Sequence, residues 1–517
     1  MPSLLNATVA DLSRALSNGQ LSSAALTAAY LARIAEVNGY FHAVIETNPD
    51  AISIAQALDQ EQRTKGRRGP LHGIPILLKD IVFTLDKMET TAGSTVLLGS
   101  RLSQEARVAR KLREAGAVIL GKTNMSEWGM FRTTKGGSGW TARGGLSLGA
   151  YCHNMKASGS SSGSAVATAL GLAAACIGGE TDGSIISPAS KNGVVGIKPT
   201  AGLVSSDGLV PLALKQDVPG PMARTVTDAA CLLDVLAEET PSRSNASYAS
   251  AFTGTDLSGL RIGVPSSSLL QASDAPLQAF NNALHLLESS GATIVRDANY
   301  ACLEEFTKLS KEEQVFTLAG YFQTDIKQYL TGLDTNPHGL KDLGDIIRLT
   351  KQDPLEQYPE RGIDLFDLAH SIDVQGAEFQ AALKQNEYFS RDGGIPGTLK
   401  AHSLDLIVAP AMYGPTVSLA ARGGFPAVVV PLGKYPEGTA VKQARNGPDT
   451  LVDIAPGLPF GIIFTGDAHT ERTLLRVAFA FEQLTNVRDT LVPFNPPQTD
   501  LSHLDLMQDP PLGDSKV

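Results

Sequence analysis

Cysteine, clustered basic charge and uninterrupted hydrophobic sequence are all scarce in this 517-residue chain. Cys152, Cys176, Cys231 and Cys302 stand far apart with no Cys-x-x-Cys spacing, which argues against both a disulfide scaffold and a zinc cluster. They read as ordinary small buried residues. No stretch approaches the roughly 18 consecutive apolar residues of a membrane span. The opening MPSLLNATVADLSRALSNG has no basic segment leading into an apolar one, so a secretory leader is not expected and the cytoplasm is. Ser515-Lys516-Val517 has the form of a peroxisomal address with Val in place of the final Leu, and is not read as one. The net charge is −10 with no basic block, which leaves nucleic acid and anionic membranes little to hold. A small molecule or a peptide is the better-matched partner.

What is present is a globular composition, 43% apolar and 19% charged. The first 60 residues read as a helical layer, with apolar residues at helical spacing from Ala24 to Ile34 behind the capping pair Ser22-Ser23. From Pro70 the pattern becomes short apolar runs, GIPILLKDIV and GAVILGKTN, on either side of the helical QEARVARKLREAG. That alternation predicts a buried sheet. Residues 61–240 read as the core, 242–400 as a mostly helical insert or cap, and 401–500 as a return to the core through LDLIVAPA, FPAVVVPLG and LPFGIIFTG. One large α/β domain over 1–517 is the simplest reading.

Two short motifs carry little. Gly116 to Thr123 satisfies the phosphate-loop pattern, but Ala117, Val118, Ile119 and Leu120 fill its variable places and make it a buried strand. Gly159-Ser160-Ser161-Ser162-Gly163 fits a nucleophile elbow centred on Ser161, yet the polar CHNMKAS precedes it instead of a strand. His469, a candidate partner for Ser161, lies in a polar loop before the last helix.

A wider constellation is far more specific. Gly73-Ile74-Pro75 leads to Lys79-Asp80, a Ser/Gly run spans Gly159 to Ser164, and Gly178-Gly179-Glu180-Thr181-Asp182-Gly183-Ser184-Ile185 is followed by Gly196-Ile197-Lys198-Pro199-Thr200. In these segments, and through GPMARTVTDAA to LPFGIIFTG, the chain resembles the amidase signature family over nearly its whole length except 242–400. The resemblance implies a single large domain with a central mixed β-sheet flanked by helices. It also implies hydrolysis of a carboxamide C–N bond through a Ser-cisSer-Lys triad: Ser184 as nucleophile, Ser160, on a cis peptide after Gly159, as proton shuttle, and Lys79 as base. Ser160 precedes Ser184 by the family's 24 residues. No metal or organic cofactor is implied. The substrate would be a small-molecule or peptide amide, and either a monomer or a homodimer is compatible with it.

Amide hydrolysis needs an activated hydroxyl, a stabilised oxyanion and a proton for the departing amine. Lys79, in the apolar ILLKDIV, suits a base whose pKa is lowered by desolvation. Gly183 permits a tight turn, from which the N–H groups of Thr181, Asp182, Gly183 and Ser184 would form an oxyanion nest. Asp217 and Asp228 read as structural, the latter three residues after Thr225 in a helix cap. Asp80 would point away from Lys79 on a strand, and Ser161, Ser162 and Ser164 are turn formers first. Gly179, Ile81 and Ile186 depart from common family residues and put the shape of the substrate site in question. An amidotransferase A-type subunit, an acyl-transferring biosynthetic enzyme and an inactive binding homologue are the rival readings.

Overall fold

The computed structural model describes residues 3–502 apart from 239–246, 251, 253, 270–272 and 413, so the Ser515-Lys516-Val517 terminus lies outside the described residues. Among the described residues the centre is one eleven-stranded sheet. Its strands, in chain order, are β1 Val44–Thr47, β2 Pro75–Lys79, β3 Val118–Thr123, β4 Ala175–Glu180, β5 Val195–Lys198, β6 Val218–Ala223, β7 Arg261–Gly263, β8 Thr293–Val295, β9 Leu406–Pro410, β10 Ala427–Lys434 and β11 Pro459–Thr465. They lie side by side as β1-β3-β2-β4-β6-β5-β10-β11-β9-β7-β8. The six strands before residue 224 thus fill one half of the sheet and the five later ones the other, meeting where β5 pairs with β10. Pairing is mixed: β2 runs parallel to both β3 and β4, whereas β4, β6, β5, β10 and β11 alternate.

The apolar runs become the interior because β2, β3, β4 and β11 are buried at every position, as expected of strands with both faces covered. Helices Val9–Ser17, Ser23–Phe41 and Ala51–Lys65 flank this half. The first begins with a capping box, Thr8 with Asp11, and the second is capped by the Ser22 hydroxyl accepting from the Ala25 N–H. Asp228 does more than sit in the cap of Thr225. Its carboxylate accepts from the Val9 N–H at 2.9 Å, tying the N-terminal helices to helix Val226–Leu236.

The stretch 242–400 is not one helical insert. Its strands β7 and β8 extend the central sheet beyond β9, and helix Ile395–His402 packs beside β9, with Ile395 and Leu399 in one cluster with Ile407. Three-residue strands are too short to leave a period in the sequence, which is why the region reads as mostly helical. The helices Lys311–Thr331 and Asp364–Ser371 form a second core together with Val96, Leu97, Met125, Trp128 and Phe131. Phe322 and Phe366 stack at 5.6 Å, and both meet the ring of Trp128 edge-on, at 6.5 and 5.9 Å.

A buried ion cluster fastens this cap to the core. The Arg132 guanidinium donates to Glu127 at 2.6 Å and to Glu356 at 2.8 Å, and to the Glu356 carbonyl at 2.7 Å. Glu356 in turn accepts from the Ser94 hydroxyl and the Thr95 N–H. One cation therefore serves two carboxylates, and burial beside Glu356 pushes the Glu127 carboxyl well above its usual range. Removing one partner from such a cluster leaves charge buried without compensation, so Arg132→Ala is expected to cost about 3–5 kcal/mol of stability. Denaturant unfolding followed by tryptophan fluorescence checks this, since the chain's two tryptophans, Trp128 and Trp140, both adjoin the cluster. A loss below about 1 kcal/mol, the scale of a surface pair, would contradict it.

Candidate active site

Parallel pairing of β2 and β4 sets up the site. Leu78 is level with Ile177, so the C-terminal ends of the two strands bring Lys79 beside Gly179 and place the 181–184 turn at the same edge. Lys79 Nζ donates to the Gly179 carbonyl at 2.8 Å and lies 2.8 Å from Ser160 Oγ. Ser160 Oγ and Ser184 Oγ are 3.0 Å apart. The Gly159–Ser160 peptide is cis. Ser160 is fixed from both sides, its carbonyl accepting from the Ser126 N–H while the Ser161 N–H donates to the Ser184 carbonyl, each at 3.0 Å. Gly159 has no room for a side chain, because a Cβ there would lie 2.2 Å from Ser126 Oγ.

Lys79 is 2% exposed. Burial lowers its pKa from 10.5 to about 7, against the opposing pull of Asp217 and Glu180. Ser160 is 1% and Ser184 8% exposed, so both residues are buried. The turn bearing Ser184 is shaped by Glu180, whose carboxylate accepts from the N–H groups of Ile185 and Ile186 at 2.6 and 2.9 Å. Gly183 takes a φ of 77°, a left-handed conformation that favours glycine. Among the described residues, the N–H groups of Thr181, Asp182, Gly183 and Ser184 donate to no protein acceptor. They are available to a ligand oxygen.

The other sequence candidates fall outside this relay. Ser161 exchanges hydrogen bonds with both the N–H and the carbonyl of Gly179, at 3.1 Å each, and so holds β4. Ser162 and Ser164 lie in helix Ser162–Ala169, and His469 is in an exposed turn. Lys122, of the phosphate-loop match, is buried and spends its protons on Val82, Glu89 and Thr90. Asp80 turns away from the relay to accept from Thr91 and Gly93. Asp217 is closer to the chemistry than a structural reading gave it. It accepts from Thr181 Oγ1, Leu212 N–H and Ala213 N–H, and its charge acts on Lys79. The departures Gly179 and Ile81 are one feature, since a Cβ on Gly179 would lie 2.5 Å from Ile81 Cδ1. Ile81 thus covers the lysine's neighbour, while Ile186 is buried in the core. Among the described residues no group of three or more His, Cys, Asp and Glu could hold a metal ion.

A large mixed sheet with a buried lysine and two serines in line defines the class. Residues 25–475 match the Amidase family, and the chain belongs to that amidase signature family. It is an amide-hydrolysing enzyme. The peptide amidase of Stenotrophomonas maltophilia superposes with a TM-score of 0.83 at 36% identity, over 96% of this chain and 99% of that one. An amidase homologue of Arthroderma benhamiae is 42% identical over 488 residues, 91% of this chain and 81% of its own. A glutamyl-tRNA(Gln) amidotransferase component of Thermobifida fusca is 34% identical over 403 residues, 76% of this chain and 79% of that protein. No helix among the described residues is long and apolar enough to cross a membrane.

The depressed lysine has a consequence for stability. Between pH 10.5 and about 7 the unfolded chain binds a proton at Lys79 that the folded chain does not. Wild-type stability therefore falls as pH falls through that window. Lys79→Met lacks this dependence, so its stability relative to wild type should be greater at pH 7 than at pH 9.5. Urea unfolding of both proteins at the two pH values tests it, and an unchanged difference would mean that Lys79 keeps its ordinary pKa.

Proposed function

We propose that this enzyme hydrolyses carboxamides through an acyl-enzyme on Ser184, with Ser160 relaying protons to and from Lys79. The observation that carries the reading is the continuous buried path from Lys79 Nζ to Ser160 Oγ to Ser184 Oγ, in steps of 2.8 and 3.0 Å. Hydroxyl hydrogens rotate freely between donor and acceptor roles. Neutral Lys79 takes the proton of Ser160 as Ser160 takes that of Ser184, and Ser184 Oγ attacks the carbonyl carbon. The carbonyl oxygen gains charge against the N–H groups of Thr181 to Ser184. Ser160 then delivers a proton to the amide nitrogen, Lys79 returns one to Ser160, and the C–N bond breaks. Ammonia or an amine leaves. Water attacks the Ser184 ester, giving its proton to the same relay, and the carboxylic acid departs as Ser184 is restored.

Likeness to a peptide amidase makes peptide amides the first substrates to assay. The amidotransferase reading is separated by whether the chain alone turns over an amide, since that reading requires a partner protein to receive ammonia.

Ser184→Ala should lose nearly all amide turnover while remaining folded, as loss of a nucleophile costs many powers of ten. Ser160→Ala should fall almost as far and Ser161→Ala much less, because the Ser161 hydroxyl hydrogen-bonds Gly179 of β4 and neither Lys79 nor Ser184. Circular dichroism establishes folding and single-turnover kinetics the rate. A dead Ser161→Ala beside an active Ser160→Ala would overturn the relay.

The pH profile is the second check. Since only neutral Lys79 can accept a proton, amide kcat/KM should rise through pH about 7 and then level. Lys79→Ala should slow amides more than activated esters of the same acid, because an alkoxide with low basicity leaves without a proton. Equal losses on amide and ester would remove Lys79 from leaving-group protonation.

A further inference from the structure

The open space around the relay is lopsided. A cleft lined by the polar residues Lys79, Ser160 and Asp217 and the apolar Ile81, Trp128 and Leu212 opens beside the relay, and Ser184 does not line it. Ile81 closes one side by lying over Gly179. Leu212 reaches toward Gly129 on another, where a Cβ on Gly129 would lie 3.1 Å from Leu212 Cδ1. Trp128 is held from behind by Phe322 and Phe366.

This asymmetry has a chemical counterpart, given the relay proposed above. The proton that leaves Ser184 ends on the amide nitrogen by way of Ser160, so that nitrogen lies against Ser160 Oγ when the C–N bond breaks. A substituent on the nitrogen then extends past Ser160 toward Lys79, into the cleft. The acyl group, bonded to Ser184 Oγ, stays on the other side. We infer that the cleft is the leaving-amine subsite and that the enzyme accepts N-substituted amides whose amine carries a short apolar group. The balance is that of any acyl transfer: an amide RCO–NHR′ and the Ser184 hydroxyl give the Ser184 ester of RCO and a free amine R′NH2.

The lining also states what the cleft rejects. Asp217 already accepts from Thr181, Leu212 and Ala213. A carboxylate on the amine would meet that buried anion and apolar walls, with no cation but Lys79, which must be neutral to act. Bulky branched groups would strike Trp128, which the cap aromatics hold in place.

The test holds one acyl group constant and varies the amine: ammonia, methylamine, ethylamine, propylamine, tert-butylamine and glycine. Within the linear N-alkyl members kcat/KM should rise with each buried methylene, by up to roughly four-fold. The tert-butyl amide should fall at least about ten-fold and the glycine amide at least about 100-fold below the propyl amide, since overpacking costs roughly one to two powers of ten and an unpaired buried charge more. Leu212→Trp should then cut the propyl-to-primary ratio about ten-fold or more, while ratios among primary amides with different acyl groups move less than three-fold. If Leu212→Trp shifts the acyl ratios and leaves the amine ratios alone, the cleft holds the acyl group and the inference is wrong. A flat amine series in wild type also overturns it. Failure of the relay itself is distinguishable, because primary amides would then not acylate Ser184 at all.

Discussion

A lysine shielded from water, yet held 2.8 Å from the Ser160 hydroxyl, is the constraint around which the site is arranged. A charged ammonium at this depth is costly, and burial lowers the group's pKa to about 7. Three features enforce that state. The Gly179 carbonyl gives the amine a neutral hydrogen-bond partner, Ile81 lies over Gly179 beside it, and the acids that could restore its charge are occupied elsewhere. Glu180 accepts from the turn of Ser184 and Asp217 from the Leu212 and Ala213 N–H groups. The same acids therefore hold backbone in place while leaving only a residual field at Lys79.

The cap contributes by holding the wall opposite. Trp128, Gly129 and Met130 all adopt positive φ, a run that L-residues other than glycine seldom adopt. On one flank Glu127 is clasped by Arg132, and on the other the Phe322–Phe366 stack meets the indole. Packing and charge from two distant segments thus converge on a few residues whose own backbone preference is elsewhere. Such over-determination is what lets an unfavourable local conformation persist.

The proposed relay was legible through the resemblance to the amidase signature family, whose spacing places Ser160 and Ser184 in Gly-rich turns 24 residues apart and Lys79 at the end of an apolar strand. The buried strands were equally visible as continuous apolar runs. What stayed hidden was set by tertiary contact. Arg132 and Glu356 are 224 residues apart and carry no shared pattern. Asp217 looks like any loop aspartate until Thr181 comes to meet it. Gly179 and Ile81 read as two separate oddities, although each exists in the space the other leaves. The strands β7 and β8 were missed for the opposite reason, being too short to have a pattern at all.

The segregation of the sheet into an early and a late half bears on how the chain is made. Residues 79–184 contain all three members of the relay, and strands β1 to β6 are contiguous neighbours. During synthesis from the N-terminus they can pair as they emerge, without waiting for any later strand. The cap aromatics and Glu356 come out only afterwards, and with them the far side of the wall at Trp128. Vectorial synthesis therefore delivers the serines and the lysine as a set before it delivers the helices that enclose the cleft beside them.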